Sequence, residues 1–444
     1  MKLVITVLFF TTFLLSAQSQ TPALQWAKGF GGTSSDEGYS TVTDAAGNIY
    51  VMGVFWNIVD MDPGPAVVNL ISAGQGDIFI SKFDAAGNFI WVKQIGNNFN
   101  DVPRKIAIDN NGNLYLAGEF NATLDLDPGP AVFNLSCNTS SYEAFLLKLD
   151  AGGNFVWANK LTDTDFGSSA WRLAAGTSGD IYVAGLFKGS GDFDPGTAVF
   201  TMTSTTSAND IFISKFDNNG NFIWAKSITV GRNNCTDIAV DKNKNIAITG
   251  YFKSGSADFD PGPGVVTLRI RGYYDAYIAK YDSLGNYVFA IPIGGESADF
   301  GLGIITDDNG NIYATGSFTG VHVSFNPSAD TADQVVRKSN GGSDIYLAKY
   351  APDGSLKFVN TFGGTLYDNG RVIAVDDKSN VYISGTFQGN GVDFFPGPGV
   401  DTLSSVGGDD IFFAQYDSSG KHKYAERFGG LQNESPAAIV LPGE

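Results

Sequence analysis

The residues best suited to chemistry are aspartate pairs in the motif Asp-x-Asp-Pro-Gly, which occurs four times. The pairs are Asp60 with Asp62, Asp125 with Asp127, Asp192 with Asp194, and Asp258 with Asp260. Residues i and i+2 of an extended chain point to the same side, so each pair presents two carboxylates beside a turn. Calcium binds about six to eight hard oxygen ligands, which makes each pair a candidate partial Ca²⁺ site. The alternative is a Pro-Gly turn that the second aspartate caps.

Two related stretches lack part of the motif and favour the turn. One reads Ser324-Phe325-Asn326-Pro327, and the other reads Asp393-Phe394-Phe395-Pro396. Neither keeps two carboxylates, and the Asp-x-Asp-x-Asp-Gly pattern of an EF-hand loop is also missing. We therefore interpret the motif as a structural turn and keep calcium as a hypothesis to be tested.

Evidence for an enzyme is thin. His322 and His422 lie 100 residues apart, and neither stands in a nucleophile or metal-ligand motif. The sequence has no His-Glu-x-x-His, Gly-x-Ser-x-Gly or Walker motif. Cleavage of a polysaccharide by two carboxylates alone is the remaining enzymatic hypothesis. We predict a protein that is not an enzyme and has no established cofactor.

The overall charge limits the partners. With 28 Lys and Arg against 46 Asp and Glu, the chain has a formal net charge of −18. This acidity argues against nucleic acid and anionic lipid as partners. Hydrophobic residues make up 43% and aromatic residues 13%, so the chain can bury a large core.

The candidate functional residues belong to a sequence unit that is repeated six times. The phrase Asp77-Ile-Phe-Ile-Ser-Lys-Phe-Asp84 returns at Glu143, Asp210, Asp275, Asp344 and Asp410, in steps of 65 to 69 residues. The repeats run approximately over residues 33–96, 97–163, 164–229, 230–295, 296–364 and 365–430. A fixed period of this kind indicates a tandem array.

Each repeat of about 66 residues is typical of short strands joined by turns. Four principal strands per unit, repeated around an axis, predict an all-β protein with a β-propeller fold. Lys82, Lys148, Lys215, Lys280 and Lys349 recur at one position of the unit. We interpret them as partners of an acid in the adjacent hairpin, and an anion site is the alternative if they line the central channel.

The units resemble the SBBP repeat, a seven-bladed β-propeller repeat of exported bacterial proteins. The resemblance rests on the segments Asn311-Ile-Tyr-Ala-Thr-Gly-Ser-Phe318, Asp344-Ile-Tyr-Leu-Ala-Lys349 and Asn221-Phe-Ile-Trp-Ala-Lys226. It covers essentially the whole chain after the first twenty residues. The resemblance implies a fold and an exported location, but no catalytic residues.

The two ends bear on export and on how the ring closes. Residues 1–19 read as a signal peptide, with Lys2 before an apolar run and small residues at Ala17 and Ser19. Residues 20–444 then form one propeller domain without membrane insertion. Leu24 to Gly32 matches the last strand of a unit, and residues 431–444 read as the start of a further repeat or a closing strand. The ring is either six-bladed with an extra strand at each end, or a seven-bladed ring lacking about 50 residues.

These observations predict a secreted or cell-surface binding or scaffold module whose partner is a protein or a polysaccharide. The expected binding loops are Gly96–Asp101, Thr162–Ser169, Gly294–Gly301, Cys137–Tyr142 and Thr203–Asn209. Two alternatives stay open: an extracellular polysaccharide hydrolase or lyase that uses channel carboxylates, and a structural segment of a longer surface protein.

Overall fold

The structure is a computed structural model that describes residues 24–137, 142–164, 168–176, 179–204, 209–229, 233–253, 257–327 and 334–441. The predicted signal peptide lies outside these residues. Six four-stranded antiparallel sheets follow one another along the chain, as predicted, and each is paired in the order first to fourth strand. The first strands of successive blades contact one another, so the sheets are arranged as blades around an axis. The chain is an all-β propeller with six blades.

The four strands of each blade run in chain order from the axis outwards. Blade one has Glu37–Thr43, Ile49–Asp60, Asn69–Phe83 and Phe89–Ile95; blade two has Val102–Ile108, Leu114–Phe120, Glu143–Leu149 and Phe155–Lys160; blade three has Ser168–Ala175, Ile181–Phe187, Asp210–Phe216 and Phe222–Ile228. Blade four has Asn233–Val240, Ile246–Phe252, Asp275–Tyr281 and Tyr287–Ile293; blade five has Phe300–Thr306, Ile312–Thr319, Ser343–Tyr350 and Leu356–Phe362; blade six has Asn369–Val375, Val381–Phe387, Asp410–Tyr416 and His422–Phe428.

A hairpin extension joins the second and third strands of every blade. In blade one both strands simply continue into it, and the short strand Gly31–Gly32 pairs with the extension. In the other blades the extension is a separate pair of short strands: Thr123–Asp125 with Asn134–Ser136, Ser190–Asp192 with Thr201–Thr203, Ala257–Asp258 with Thr267–Leu268, Val323–Ser324 with Val336–Arg337, and Val392–Asp393 with Thr402–Leu403. Asp163–Thr164 adds a third strand in blade three.

Tight turns join the first strand to the second and the third to the fourth, and ten of these twelve turns have an aspartate at the first position; the other two begin at Gly176 and Ala351. In the turn after Ile108, Asp109 Oδ1 accepts hydrogen bonds from the amides of Asn111 and Asn113, both at 2.9 Å. The same two bonds recur in turns that begin at Asp44, Asp84, Asp150, Asp217, Asp241, Asp282, Asp307, Asp376 and Asp417. These carboxylates satisfy amides that the strands leave unpaired.

Every first strand carries a bulge at the same place, opposite a glycine of the second strand. In blade five, Gly301 pairs with Gly316 and Gly303 with Thr315, so Leu302 is the extra residue. A Cβ on Gly316 would stand 1.9 Å from the carbonyl oxygen of Phe300. Only glycine therefore allows the bulged strand to approach this closely. The equivalent glycines are Gly53, Gly118, Gly185, Gly250 and Gly385.

The core lies between blades. Alternate residues of each sheet point to the preceding and the following blade, and side chains of the two facing sheets form common clusters. The aromatic residue of the fourth strand also packs on the next blade in blades one to five: a Cβ on Gly153 would stand 2.9 Å from the ring of Trp91. Trp157, Trp224, Phe289 and Phe358 lie in the same way over Gly220, Gly285, Gly354 and Gly420.

The two terminal segments lie between blades six and one. Trp26 lies over Gly87 of blade one, 3.1 Å from the position of a Cβ, as Trp91 lies over Gly153 of blade two. At the other end the Thr43 hydroxyl donates to the carbonyl of Leu441 at 3.0 Å. The segments occupy the places of the outer and inner strands of a further blade. Neither residues 24–30 nor residues 431–441 form a strand, because the described residues offer no second or third strand between them.

Candidate functional site

The aspartate pairs hold the turn of the hairpin extension. Asp258 Oδ1 accepts hydrogen bonds from the amides of Asp260 at 3.1 Å and Val266 at 2.8 Å. Asp260 Oδ1 accepts one from Gly262 at 2.8 Å. The first members of the other pairs make the equivalent two bonds; they are Asp60, Asp125 and Asp192. The first aspartate thus holds both sides of the turn and the second caps its tip.

The second members of the pairs, predicted as candidate calcium ligands, are turn caps in the structure. Asp62 Oδ1 accepts the amide of Gly64 at 2.6 Å. Asp127 Oδ1 accepts that of Gly129 at 2.7 Å, and Asp194 Oδ1 accepts that of Gly196 at 2.8 Å. In the part of the chain that the structure describes, no three His, Cys, Asp or Glu side chains are grouped so as to hold a metal ion. The hydrogen bonds therefore account for Asp62, Asp127 and Asp194 without a metal, and calcium binding at the pairs stays a prediction.

The residue between the two aspartates is buried, which explains why the motif alternates between polar and apolar residues. Met61, Leu126, Phe193 and Phe259 are fully buried, as are Phe325 and Phe394 in the two blades that lack the full motif. In blade six Asp393 alone accepts from Phe395 and Asp401, both at 3.0 Å. The extension therefore keeps its geometry with a single aspartate.

The recurring lysines lie between blades. Lys215 Nζ is 3.3 Å from Asp180 Oδ2 and 5.0 Å from the centroid of the Tyr182 ring. Lys82 and Lys280 approach Asp44 and Asp241 in the same way, at 3.7 and 4.0 Å. Lys148 Nζ instead donates to the carbonyl of Asn218 in the next blade at 2.8 Å, and Lys349 Nζ to that of Ser418 at 3.1 Å. Lys148, Lys280 and Lys349 thus join neighbouring blades through backbone carbonyls. For three members of the column the predicted pairing with an acid is present.

Acidic side chains are buried where each third strand begins. Asp77, Glu143, Asp210, Asp275, Asp344 and Asp410 are each at most 1% exposed. Asp344 Oδ2 accepts the amide of Asn340 at 3.0 Å, whereas its buried Oδ1 has no hydrogen-bond partner. Burial, with the nearby charge of Asp368, raises the pKa of Asp344 to about 7 although the Asn340 amide opposes the shift. These acids hold the crossover region together and stand apart from the axis.

We call the end of the propeller where fourth strands cross to the next first strands the crossover end. Here an aspartate pins the crossover: Asp299 accepts the amides of Gly295 at 2.9 Å and Thr319 at 3.0 Å. Asp368 does the same with Gly364 and Gln388. Of the predicted binding loops, Gly96–Asp101 and Gly294–Gly301 are described at this end. Thr162–Ser169, Cys137–Tyr142 and Thr203–Asn209 lie partly outside the described residues.

The bulges place one unit-specific side chain per blade around the axis. The extra residues are Tyr39, Arg104, Trp171, Thr236, Leu302 and Arg371, which we call the bulge ring. Their backbone position is the same in all six blades, while their side chains range from cationic to aromatic to aliphatic. Bulges often redirect side chains next to functional sites. At the bulge ring, therefore, all six blades share one backbone position but carry side chains of different chemistry.

Charged groups accompany the bulge ring. Arg104 donates to both carboxylate oxygens of Glu119, at 3.0 and 3.1 Å, and lies 5.3 Å from the Trp171 ring centroid. Burial, with the neighbouring charge of Arg172, lowers the pKa of Lys105, and Asp237 opposes that shift. Lys105, Arg172 and Asp237 come from the first strands of three successive blades. With Arg104, the first strands of blades two to four thus carry three cations and one anion.

The sequence carries a signal for the bulge ring that recurrence alone misses. The glycine of each second strand stands at a fixed register, and the extra residue of the bulge beside it varies between units. Recurring residues reveal the frame of the propeller, whereas the candidate site consists of residues that do not recur.

Comparison with known proteins shows which family model and which relatives this chain is similar to. Residues 90–122, from the fourth strand of blade one to the second strand of blade two, match the family model of the SBBP beta-propeller repeat. The chain is similar to this repeat over those residues. It is also 22% identical to an uncharacterized WD repeat-containing protein of Acanthamoeba polyphaga mimivirus, over 92% of this chain and 34% of that protein. It is 26% identical to the regulatory protein FlaEY of Caulobacter vibrioides, over 90% of this chain and 41% of that protein.

The chain therefore spans less than half the length of those two relatives. Among solved structures it is similar to the Pan2 WD40 domain of Neurospora crassa, with a TM-score of 0.40, 9% identity and 88% coverage of both chains. No helix among the described residues is long and apolar enough to cross a membrane.

Proposed function

We propose that the protein is an exported binding or scaffold module that engages its partner at the crossover end, at the cell surface or outside the cell. The observation that carries the proposal is the bulge ring: one backbone position, repeated six times, carries six side chains of which only two are alike. All of them except the buried Thr236 are at least partly exposed. Repeated residues are accounted for by turns, blade contacts and core. Unrepeated residues at one end are the property expected of a recognition surface.

Charge and composition support a polysaccharide or a protein as the partner. The net charge of −18 disfavours nucleic acid and anionic membranes. Aromatic and arginine side chains, which Trp171 and Arg371 bring to the ring, are enriched in binding sites for both kinds of partner. The leader-like residues 1–19 support export. Binding in this proposal requires no catalytic group, and calcium would act only on the hairpin extensions.

The proposal is tested with the protein from residue 20 onwards. It is immobilised and titrated with neutral and acidic polysaccharides and with the fractionated proteins of the exported compartment. Arg371→Ala and Trp171→Ala are compared with Lys357→Ala, which lies on a fourth strand far from the axis. We expect the ring variants to weaken binding at least about fivefold while the control binds normally. Equal binding by all three, or no ligand among the probes, would overturn the proposal.

Turnover distinguishes a module from an enzyme. The same polysaccharides are incubated with the protein, and their chain length is followed over time. We expect the length to stay constant. Shortening that disappears in Asp237→Asn would replace the proposal with a hydrolase or lyase that uses a channel carboxylate.

A further inference from the structure

Aromatic and basic side chains meet at the crossover end between blades four and five. Tyr251 is the penultimate residue of the second strand of blade four, Tyr273 and Tyr274 precede its third strand, and Phe300 begins blade five. We propose that this cluster, with Lys253, Arg269 and Arg271, binds an acidic polysaccharide. The inference rests on the proposed binding function and names its ligand class and a second contact region outside the bulge ring.

The rings form one connected group. The centroids of Tyr251 and Phe300 lie 4.9 Å apart, those of Tyr251 and Tyr274 lie 5.5 Å apart, and both pairs are edge-to-face. Tyr273 lies 5.1 Å from Tyr274, also edge-to-face, and is 60% exposed. Three rings thus support a fourth that reaches into solvent. A supported, exposed tyrosine offers an apolar surface for a sugar ring and a hydroxyl for its polar groups.

The backbone holds this group in place before any ligand arrives. The amide of Tyr273 donates to the carbonyl of Ser297 at 2.9 Å, and the amide of Asp299 donates to that of Tyr274 at 2.8 Å. A Cβ on Gly272 would stand 2.3 Å from the Ser297 oxygen, so the segment rests directly on the crossover. Pre-organised contacts lose little entropy on binding.

Positive charge surrounds the exposed ring. Lys253 Nζ lies 3.7 Å from the centroid of Tyr273 and 5.1 Å from that of Tyr274. Arg269 and Arg271 are exposed on the strand side of the same loop, and Glu296 is the exposed acid of the adjoining crossover. Two exposed cations, Arg269 and Arg271, against one exposed acid is the reverse of the whole chain, which carries 46 acids and 28 bases. A local positive patch on an acidic protein attracts an anionic ligand selectively.

The chemistry of the cluster favours a sugar acid over an acidic protein segment. Guanidinium groups pair with carboxylate or sulfate, and an exposed tyrosine packs against a flat pyranose face. A stable protein interface needs about 800 Å² from each partner, with apolar residues at its centre. No other blade brings two tyrosines to this position: blades one, five and six have Gln75-Gly76, Gly342-Ser343 and Gly408-Asp409 there.

The experiment measures binding of polygalacturonate, a polymer of uronic acid, to the protein from residue 20 onwards. A neutral glucan of similar length and poly-glutamate are the comparison probes. We expect the wild type to bind polygalacturonate, Tyr273→Ala and the double variant Lys253→Gln/Arg271→Gln to weaken binding at least about tenfold, and salt between about 50 and 500 mM to weaken it further. Tyr367→Ala, which removes another exposed tyrosine at a different crossover, should bind normally.

The outcomes separate this inference from the proposed function. Equal binding of polygalacturonate by the wild type and the Tyr273 and Lys253/Arg271 variants would overturn the inference and leave the proposed module intact. Equal binding of neutral glucan would overturn the charge argument, and equal binding of poly-glutamate would assign the cluster to an acidic protein segment instead. A wild type that binds none of the three probes would also overturn the inference, whereas the proposed function would then depend on the bulge-ring titrations. Melting temperatures of all variants confirm that each is folded.

Discussion

At the scale of single residues, the acidity of the chain has structural uses that a net charge conceals. Aspartates close the tight turns, hold both sides of the hairpin extensions and pin the crossovers. The turn carboxylates gain hydrogen bonds, and at Asp84 the bonds from Asn88 lower the pKa. Buried acids such as Asp344 have a pKa shifted in the opposite direction. The two groups give the protein opposing responses to pH.

The two members of an aspartate pair should differ in their contribution to stability. Asp258 accepts two amide hydrogen bonds and Asp260 accepts one. We expect Asp258→Ala to lower the free energy of unfolding by about 2 kcal/mol and Asp260→Ala by about 1 kcal/mol. Urea unfolding measures both. Asp258→Asn, which keeps an acceptor oxygen, is the control and should lose less; an equal loss from the two alanine variants would contradict this assignment.

The calcium hypothesis has its own measurement. If the pairs bind Ca²⁺, the metal stabilises the folded state, and a chelator lowers the melting temperature. Asp258→Asn/Asp260→Asn should then reduce that response. An unchanged midpoint with and without chelator would remove the hypothesis for all four pairs, including Asp62, Asp127 and Asp194, and leave the turn as the full explanation of the motif.

The buried acids predict how stability changes with pH. The folded-state pKa of Asp344 is about 7, above its unfolded value, so the folded protein binds this proton more tightly. Its contribution is therefore fully present below about pH 4 and is lost as the pH rises towards 7. Asp344→Asn should add about 1 kcal/mol or more to stability at pH 8 and nothing at pH 4. Unfolding curves at both pH values test this, and a gain of equal size at the two would exclude ionisation as the cause.

At the scale of elements, the bulged first strand can lie close to the second strand because the second strand has a glycine opposite the bulge. The period of the repeat and its turn residues predict four strands per blade, because turns and alternating apolar residues are local signals. The bulge depends on the distance between two backbones, and the periodicity of apolar residues does not predict that distance. Sequence alone likewise presents the hairpin extension as a candidate metal site, because the burial of its central residue is a tertiary property.

The glycine opposite the bulge should not tolerate a side chain. In Gly316→Ala the new Cβ would stand 1.9 Å from a backbone oxygen and 2.9 Å from the Tyr346 ring. We expect a loss of at least about 3 kcal/mol, because backbone and core must both shift. Gly430→Ala is the control, since its nearest neighbour is a Glu434 side-chain atom at 3.7 Å. Similar unfolding midpoints for the two variants would show that the sheet accommodates the methyl group.

At the scale of the whole molecule, blades are joined by a small set of repeated contacts. A fourth-strand aromatic lies over a glycine of the next blade, and a lysine reaches a turn acid or the carbonyl of the following blade. Trp26 makes the aromatic contact with blade one from the terminal segment. The sequence predicts that both ends resemble parts of one repeat, and the structure places them together between blades six and one. The sequence could not predict that the two terminal segments form no strands, because strand pairing depends on which residues lie beside them in the folded structure.

Blade one should depend on Trp26. We expect Trp26→Ala to lower the free energy of unfolding by about 2 kcal/mol, less than for a fully buried tryptophan, because the ring is partly exposed. Amide hydrogen exchange should increase first around Gly87 and in Phe89–Ile95. Leu24→Ala, at a side chain that is 53% exposed, serves as the control. Unchanged exchange in blade one would show that the terminal segment does not support it.

The bulge and its glycine also define how such a protein can change. A substitution at Leu302 or Arg371 would alter one side chain of the proposed recognition surface, while most contacts that join blades are made by residues outside the bulge ring. Blades one to five each contact the next blade through a fourth-strand aromatic residue that lies over a glycine, so a blade moved among these positions would keep that contact and carry its own bulge residue with it. If the bulge ring is the recognition surface that we propose, an exchange of blades would change binding specificity while this contact between blades is kept.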